Sequence, residues 1–217
     1  MKYIFFKIFV LGLLVLGCSD TEVNQDPSTD ITLNDDITVD YSLLFIGNSL
    51  TATNNLPFLV KQKALESDII IETTQALANN FGLEDHWEAG NIQNMIATQQ
   101  FDFVIIQQGP SSQAYGRSSL IEFGGYIKNL CEANGAELAY FMVWPSLTYY
   151  NTFPGVIQNY TDAASFNGAR LCPVGTQWRS YINQTNDYSY YGPDGFHPSL
   201  AGSKIAAEVI LQSLNIL

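Results

Sequence analysis

Residues Phe45–Thr51 read FIGNSLT and close the apolar run YSLLFIG that begins at Tyr41. Aromatic, leucine and isoleucine residues ended by a glycine predict a buried strand. A run that is apolar at nearly every position, rather than at alternate ones, is the pattern of a central strand in a parallel sheet. Ser49 then stands just past the carboxyl end of that strand, where open α/β sheets hold their ligands. The same position suits a helix cap, and these seven residues taken alone favour capping.

The chain on either side of this stretch alternates in the same way. LPFLVKQKALES (56–67) has the spacing of an amphipathic helix and DIIIETTQA (68–76) that of a strand. GLEDHWEAGNIQNMIATQQ (82–100) reads as helical with a break near Gly90, FDFVIIQQG (101–109) as a strand, and SSLIEFGGYIKNLCEANG (118–135) as a helix stopped by Asn-Gly. AELAYFMVWP (136–145) is the next strand. A Tyr-rich connection over about 146–160 leads to a helix around TDAASFNG (161–168) and a short strand ARLCPVG (169–175). An irregular stretch, YINQTNDYSYYGPDGFHPS (181–199), precedes a closing helix LAGSKIAAEVILQSL (200–214). Strands alternating with helices predict an α/β fold: a flavodoxin-like, three-layer α/β/α sandwich on about five parallel strands.

The 217 residues, 47% hydrophobic and 14% charged, suffice for one ordinary core. Nine Lys plus Arg against 21 Asp plus Glu give a formal net charge of -12. Such a chain lacks the basic footprint that nucleic-acid binding needs. Its first 18 residues, MKYIFFKIFVLGLLVLGC, set Lys2 and Lys7 around a short apolar stretch. That is the pattern of a secretory signal, too short for a membrane span. The ending LVLGC resembles the bacterial lipobox, which implies cleavage after residue 17, lipidation of Cys18 and a place in the bacterial cell envelope. Ser19 in the next position resembles the outer-membrane sorting context. The acidic residues that follow, up to 38, read as a solvated tether, and the domain is expected over 39–217. Cys131 and Cys172 are then expected as two separate buried thiols.

The second informative stretch is GPDGFHPS (192–199), with Asp194 and His197 three residues apart before the last helix. One turn can then aim a carboxylate and an imidazole at a common point, the carboxylate fixing the tautomer. The only other histidine, His86, is distant in sequence, and no Cys pair accompanies either one. Too few ligands are therefore available for zinc, and no metal or cofactor is expected.

GNSL after the first strand and Asp-x-x-His before the last helix resemble the SGNH, or GDSL-type, hydrolases, in the expected order over nearly the whole domain. The resemblance implies Ser49 as nucleophile, His197 as general base and acid, and Asp194 as its orienting partner. It also implies an oxyanion hole built from the amides of Ser49 and Gly82. The third block departs from the pattern, since IIQQGPSSQ (105–113) puts Ser111 where an asparagine is expected. The segment is closer to the Gln-Gly-Glu-Ser pattern of acetylesterase branches, which implies Gln108, or failing it Gln107, as the replacement donor. Adjacent strand residues point to opposite faces, so only one can face the cleft. His86 is expected in packing or at a substrate rim, and Trp144 in the core with a subsite role left open.

What the resemblance implies is a lipid-anchored serine esterase acting on an acylated carbohydrate or another small ester. The aromatics Tyr149, Tyr150, Phe153 and Tyr160 are candidate exposed platforms for it. A non-catalytic glycan-binding lipoprotein and an acyltransferase on the same fold are the alternatives.

Overall fold

The computed structural model describes residues 38–217. The expected signal peptide, the Cys18 lipid site and the tether as far as residue 37 lie outside the described residues. Among those described, five strands form one parallel sheet: β1 (Tyr41–Gly47), β2 (Ile71–Leu77), β3 (Phe103–Ile106), β4 (Glu137–Phe141) and β5 (Arg170–Cys172). Their spatial order is β2-β1-β3-β4-β5. The connecting helices are α1 (Ser49–Ala52), α2 (Leu56–Leu65), α3 (Leu83–Ala89), α4 (Asn91–Thr98), α5 (Ala114–Ala133), α6 (Phe153–Phe166), α7 (Val174–Thr185) and α8 (Leu200–Ser213). Helix α2 packs on α8, and α5 packs on α3, α4 and α6, which gives the outer layers of a three-layer α/β/α sandwich.

The core follows from the strand sequences. Leu43, Leu44, Phe45 and Ile46 of β1 and Val104, Ile105 and Ile106 of β3 are almost wholly buried, because helices cover both faces of these inner strands. The chain leaves β1 toward β2 and returns past β1 to β3. The loops after β1 and β3 therefore diverge, leaving a crevice at the carboxyl ends of the two strands, the switch point where such sheets bind ligands.

The expected break at Gly90 is present: it separates α3 from α4 with φ 78, a left-handed conformation that glycine takes without steric cost. Two expectations need correction. Helix α6 begins at Phe153, well before the expected 161, because Pro154 sits in its first turn, where a missing N–H costs nothing. Phe153 and Tyr160 are consequently buried, and of the four aromatic candidates only Tyr149 is largely exposed. Helix α7 covers a stretch expected to be irregular from residue 181. Its buried residues are Val174, Gly175, Trp178 and Ile182, so only about one large side chain per turn faces the core, with polar residues between. Cys131 and Cys172 are free and buried, and burial pushes both thiols up to about 12.

Candidate active site

The turn after β1 is built by side chains that come from elsewhere in the chain. Asn48 caps α1, its Oδ1 accepting the Leu50 N–H at 3.1 Å, and its Nδ2 donates to the Phe81 carbonyl at 3.0 Å. Gln107, just past β3, braces the turn. Its Oε1 accepts the Asn48 N–H at 3.0 Å and the Thr51 hydroxyl at 2.7 Å, while its Nε2 donates to Asn48 Oδ1 at 3.0 Å. A Cβ at residue 47 would stand 2.6 Å from Gln107 Oε1, so Gly47 leaves the space that the amide fills. The hydroxyl of Ser49 is thereby presented at the amino end of α1, half-buried at the mouth of the crevice.

The loop before α8 is equally constrained. Gly192 N–H donates to the His197 carbonyl at 2.7 Å, an isolated bridge pairs Tyr191 with Pro198, and Gly195 turns the chain at φ 66. Asp194 Oδ1 accepts the N–H groups of Phe196 and His197, each at 2.9 Å, and its Oδ2 lies 2.6 Å from His197 Nδ1. With Nδ1–H donated to the carboxylate, Nε2 is left to accept, and Ser49 Oγ lies 2.9 Å from it. The imidazole hydrogen bond, aided by the two backbone N–H groups, holds the Asp194 carboxyl below its ordinary value.

Two further residues join these segments, and the motifs do not mark either. Asn54, in the left-handed region at φ 57, donates from Nδ2 to the Pro198 carbonyl and to Ser203 Oγ, both at 3.0 Å. It ties the serine segment to the histidine loop. Trp144, buried at the end of β4, donates its indole N–H to the Phe196 carbonyl at 3.0 Å and stacks on Trp178 with ring centroids 3.5 Å apart. It is therefore core, not a substrate platform.

The expected oxyanion donors are placed differently from one another. The Ser49 N–H has no acceptor among the described residues. Gly82 lies beside the cleft, but its N–H donates to Asp85 Oδ2 at 2.7 Å in a capping arrangement at the start of α3. Gln107 faces the underside of the serine turn and not the cleft. Gln108 lines the cleft, yet its Nε2 donates to Ser111 Oγ at 2.7 Å and to the Gly116 carbonyl at 3.1 Å. Its Oε1 accepts from Ser119 Oγ at 3.1 Å and the Leu83 N–H at 3.4 Å. The Leu83 amide can only donate and the Gly116 carbonyl can only accept, so reversing the Gln108 amide would break both contacts. Neither glutamine donates into the cleft in this arrangement, contrary to expectation. His86 is buried, with Nε2 2.8 Å from the Gly47 carbonyl, and burial lowers its affinity for a proton. It props the end of β1 from below.

The cleft beside Ser49 has a volume of about 480 Å³. Its lining includes the carboxylates of Glu84 and Asp85 and no lysine or arginine. Chemically, it joins a serine hydroxyl to an imidazole and that imidazole to a carboxylate, at a helix start with a free amide, an arrangement able to activate the hydroxyl.

The sequence matches no family model and no curated protein. Solved structures do match. A protein of Slackia heliotrinireducens assigned to the SGNH hydrolases superposes with a TM-score of 0.69 at 23% identity, over 80% of this chain and 98% of that one. An acetyl xylan esterase from Geobacillus stearothermophilus gives 0.62 at 14% identity over 83% and 97%. The lipase/acylhydrolase from Enterococcus faecalis gives 0.62 at 14% over 80% and 95%. The chain has the α/β/α fold of the SGNH hydrolases, along nearly the full length of each of these structures.

Proposed function

We propose that this chain is a serine esterase that hydrolyses O-acyl esters, foremost O-acetyl groups carried by a carbohydrate. The observation that carries the reading is the continuous Asp194–His197–Ser49 relay, with steps of 2.6 and 2.9 Å, opening on a cleft at the switch point of the sheet. In the reaction Ser49 Oγ attacks the acyl carbon as its proton passes to His197 Nε2. The carbonyl oxygen gains the negative charge, facing the Ser49 N–H and the positive end of α1. Collapse breaks the bond to the alcohol oxygen, which takes the proton from His197 and leaves. Water then repeats the sequence on the acyl-serine, and Asp194 keeps the imidazolium oriented throughout.

Ester chemistry is supported by the company the fold keeps among solved esterases, and a carbohydrate alcohol by the acetyl xylan esterase among them. A fold alone does not choose a substrate, so the assignment rests on the site. Transfer of the acyl group to a second hydroxyl would use the same residues. The engagement of Gln108 and Gly82 favours a second reading, a glycan-binding protein without turnover, because one missing oxyanion donor can cost roughly 10²- to 10³-fold. The lipobox-like LVLGC supports attachment through Cys18 to the outer membrane of a bacterium.

Hydrolysis of 4-nitrophenyl acetate by the protein and by its Ser49→Ala form separates the two. An esterase loses turnover by roughly 10³-fold or more. Undiminished turnover in the variant would remove Ser49 as nucleophile, and an inactive parent protein would leave the binding reading in place.

A further inference from the structure

A second cavity, of about 640 Å³, shares Pro110, Ser112, Gln113 and Phe196 with the Ser49 cleft and extends to Ser146 and Tyr149. Its size falls in the range of roughly 300–1,000 Å³ typical of small-molecule sites. The two cavities differ in character. The Ser49 cleft carries two carboxylates, whereas no charged side chain lines the second cavity.

Its position relative to the base is fixed. Phe196 immediately precedes His197 in the chain and forms part of both cavities. The wall on the other side is held to the same loop: Leu147 N–H donates to the Gly195 carbonyl at 2.8 Å, and the Tyr191 hydroxyl donates to the Pro145 carbonyl at 2.8 Å. In ester cleavage the group that sits beside the base is the alcohol, because His197 must return a proton to its oxygen.

The lining also holds unused polar atoms. The hydroxyls of Ser146 and Tyr149 and Oε1 of Gln113 have no hydrogen-bond partner among the described residues. Tyr149 is 64% exposed, although its backbone is pinned by its own N–H to the Ser146 carbonyl at 3.0 Å and by the Thr152 hydroxyl to its carbonyl at 2.7 Å. An exposed ring on a held backbone, beside free hydroxyl and amide groups, suits a ligand with an apolar face and a rim of hydroxyls.

We propose that this second cavity is the subsite for the alcohol half of the substrate and that it takes an uncharged sugar ring packed on Tyr149. The proposal rests on the esterase reading, so its test is arranged to survive the failure of that reading. The Ser49→Ala protein, unable to turn over, is titrated with methyl glucopyranoside and with methyl glucopyranosiduronate, its anionic counterpart, by ligand-observed NMR. The neutral glycoside should bind at least tenfold more tightly than the anion. Adding Tyr149→Ala should weaken it at least tenfold, and Tyr149→Phe, which keeps the ring, should restore most of the affinity. In the protein with Ser49 intact, Tyr149→Ala should raise KM for a mono-O-acetylated methyl glucopyranoside by tenfold or more. Its kcat/KM for ethyl acetate, which has no ring to place, should fall several-fold less than that for the sugar ester. Binding that ignores Tyr149, equal binding of the anion, or equal losses on both esters would overturn the proposal. Absence of all turnover with glycoside binding intact would sink the esterase reading, and with it the alcohol-half role, and leave the cavity standing as a sugar site.

Discussion

Gln107 braces the serine turn from below, which makes its replacement more damaging than its distance from any substrate suggests. Gln107→Ala strips acceptors from the Asn48 N–H and the Thr51 hydroxyl and a donor from Asn48 Oδ1, all in a buried setting. Unpaired buried groups cost about 1–3 kcal/mol each. Partial relaxation should leave a net loss of about 2–4 kcal/mol, read from the midpoint of urea unfolding, together with lower turnover. A loss under about 0.5 kcal/mol would mean that the turn holds itself. His86 gives the fold an acid-sensitive point of a different kind. Its imidazole is buried neutral, so the unfolded chain binds the proton more readily than the folded one. Stability from this group is complete above the unfolded value of 6.5 and is lost progressively as pH falls below it, through the lowered folded value. The carboxylates with depressed values, such as Asp194 and Glu137, act further down the scale. Thermal melts of a His86→Gln protein should therefore show a flatter stability profile between pH 7 and 5 than the parent. Parallel profiles would assign that limb to other groups.

At the scale of elements, the serine segment and the histidine loop come from opposite ends of the domain and meet through Asn54. Its left-handed backbone turns the chain between α1 and α2, and its amide reaches Pro198 and Ser203. Asn54→Ala removes both contacts and forces a less tolerant residue into that conformation. If Ser49 drifts from His197, kcat should fall by about 10- to 100-fold with KM little changed, because alignment of reacting groups is lost while the cleft is not. An unchanged kcat would show that the loops hold register without it. The strands were legible in the sequence because the inner strands are apolar at nearly every position, and Gly90 announced its break. Helix α7 was not, since about one large buried side chain per turn leaves too weak a period to see. The Ser49, Asp194 and His197 positions stood out by order and spacing. The glutamines did not resolve, because a strand end specifies alternation of faces but not which partners are already there: Ser111, Gly116 and Leu83 engage Gln108 before any substrate can.

For the whole molecule, the charge sets the terms of the proposed attachment. The proposed removal of residues 1–17 would take away Lys2 and Lys7 and leave seven basic against 21 acidic residues, a net charge of -14. An anionic bilayer would repel such a body, so in the proposed attachment acyl chains on Cys18 would supply the membrane affinity. Cys18→Ser should move the protein from the membrane to the soluble fraction of a bacterial host, and retention would point to an uncleaved amino-terminal anchor. The three tryptophans of the chain are distributed unevenly: Trp144 and Trp178 are fully buried and stacked, and Trp87 is partly buried. The stacked pair should couple the two indole transitions and give the folded protein a circular-dichroism signature. Because Trp144 holds the Phe196 carbonyl next to His197, that signature should serve as a label-free readout of the loop that carries the proposed base.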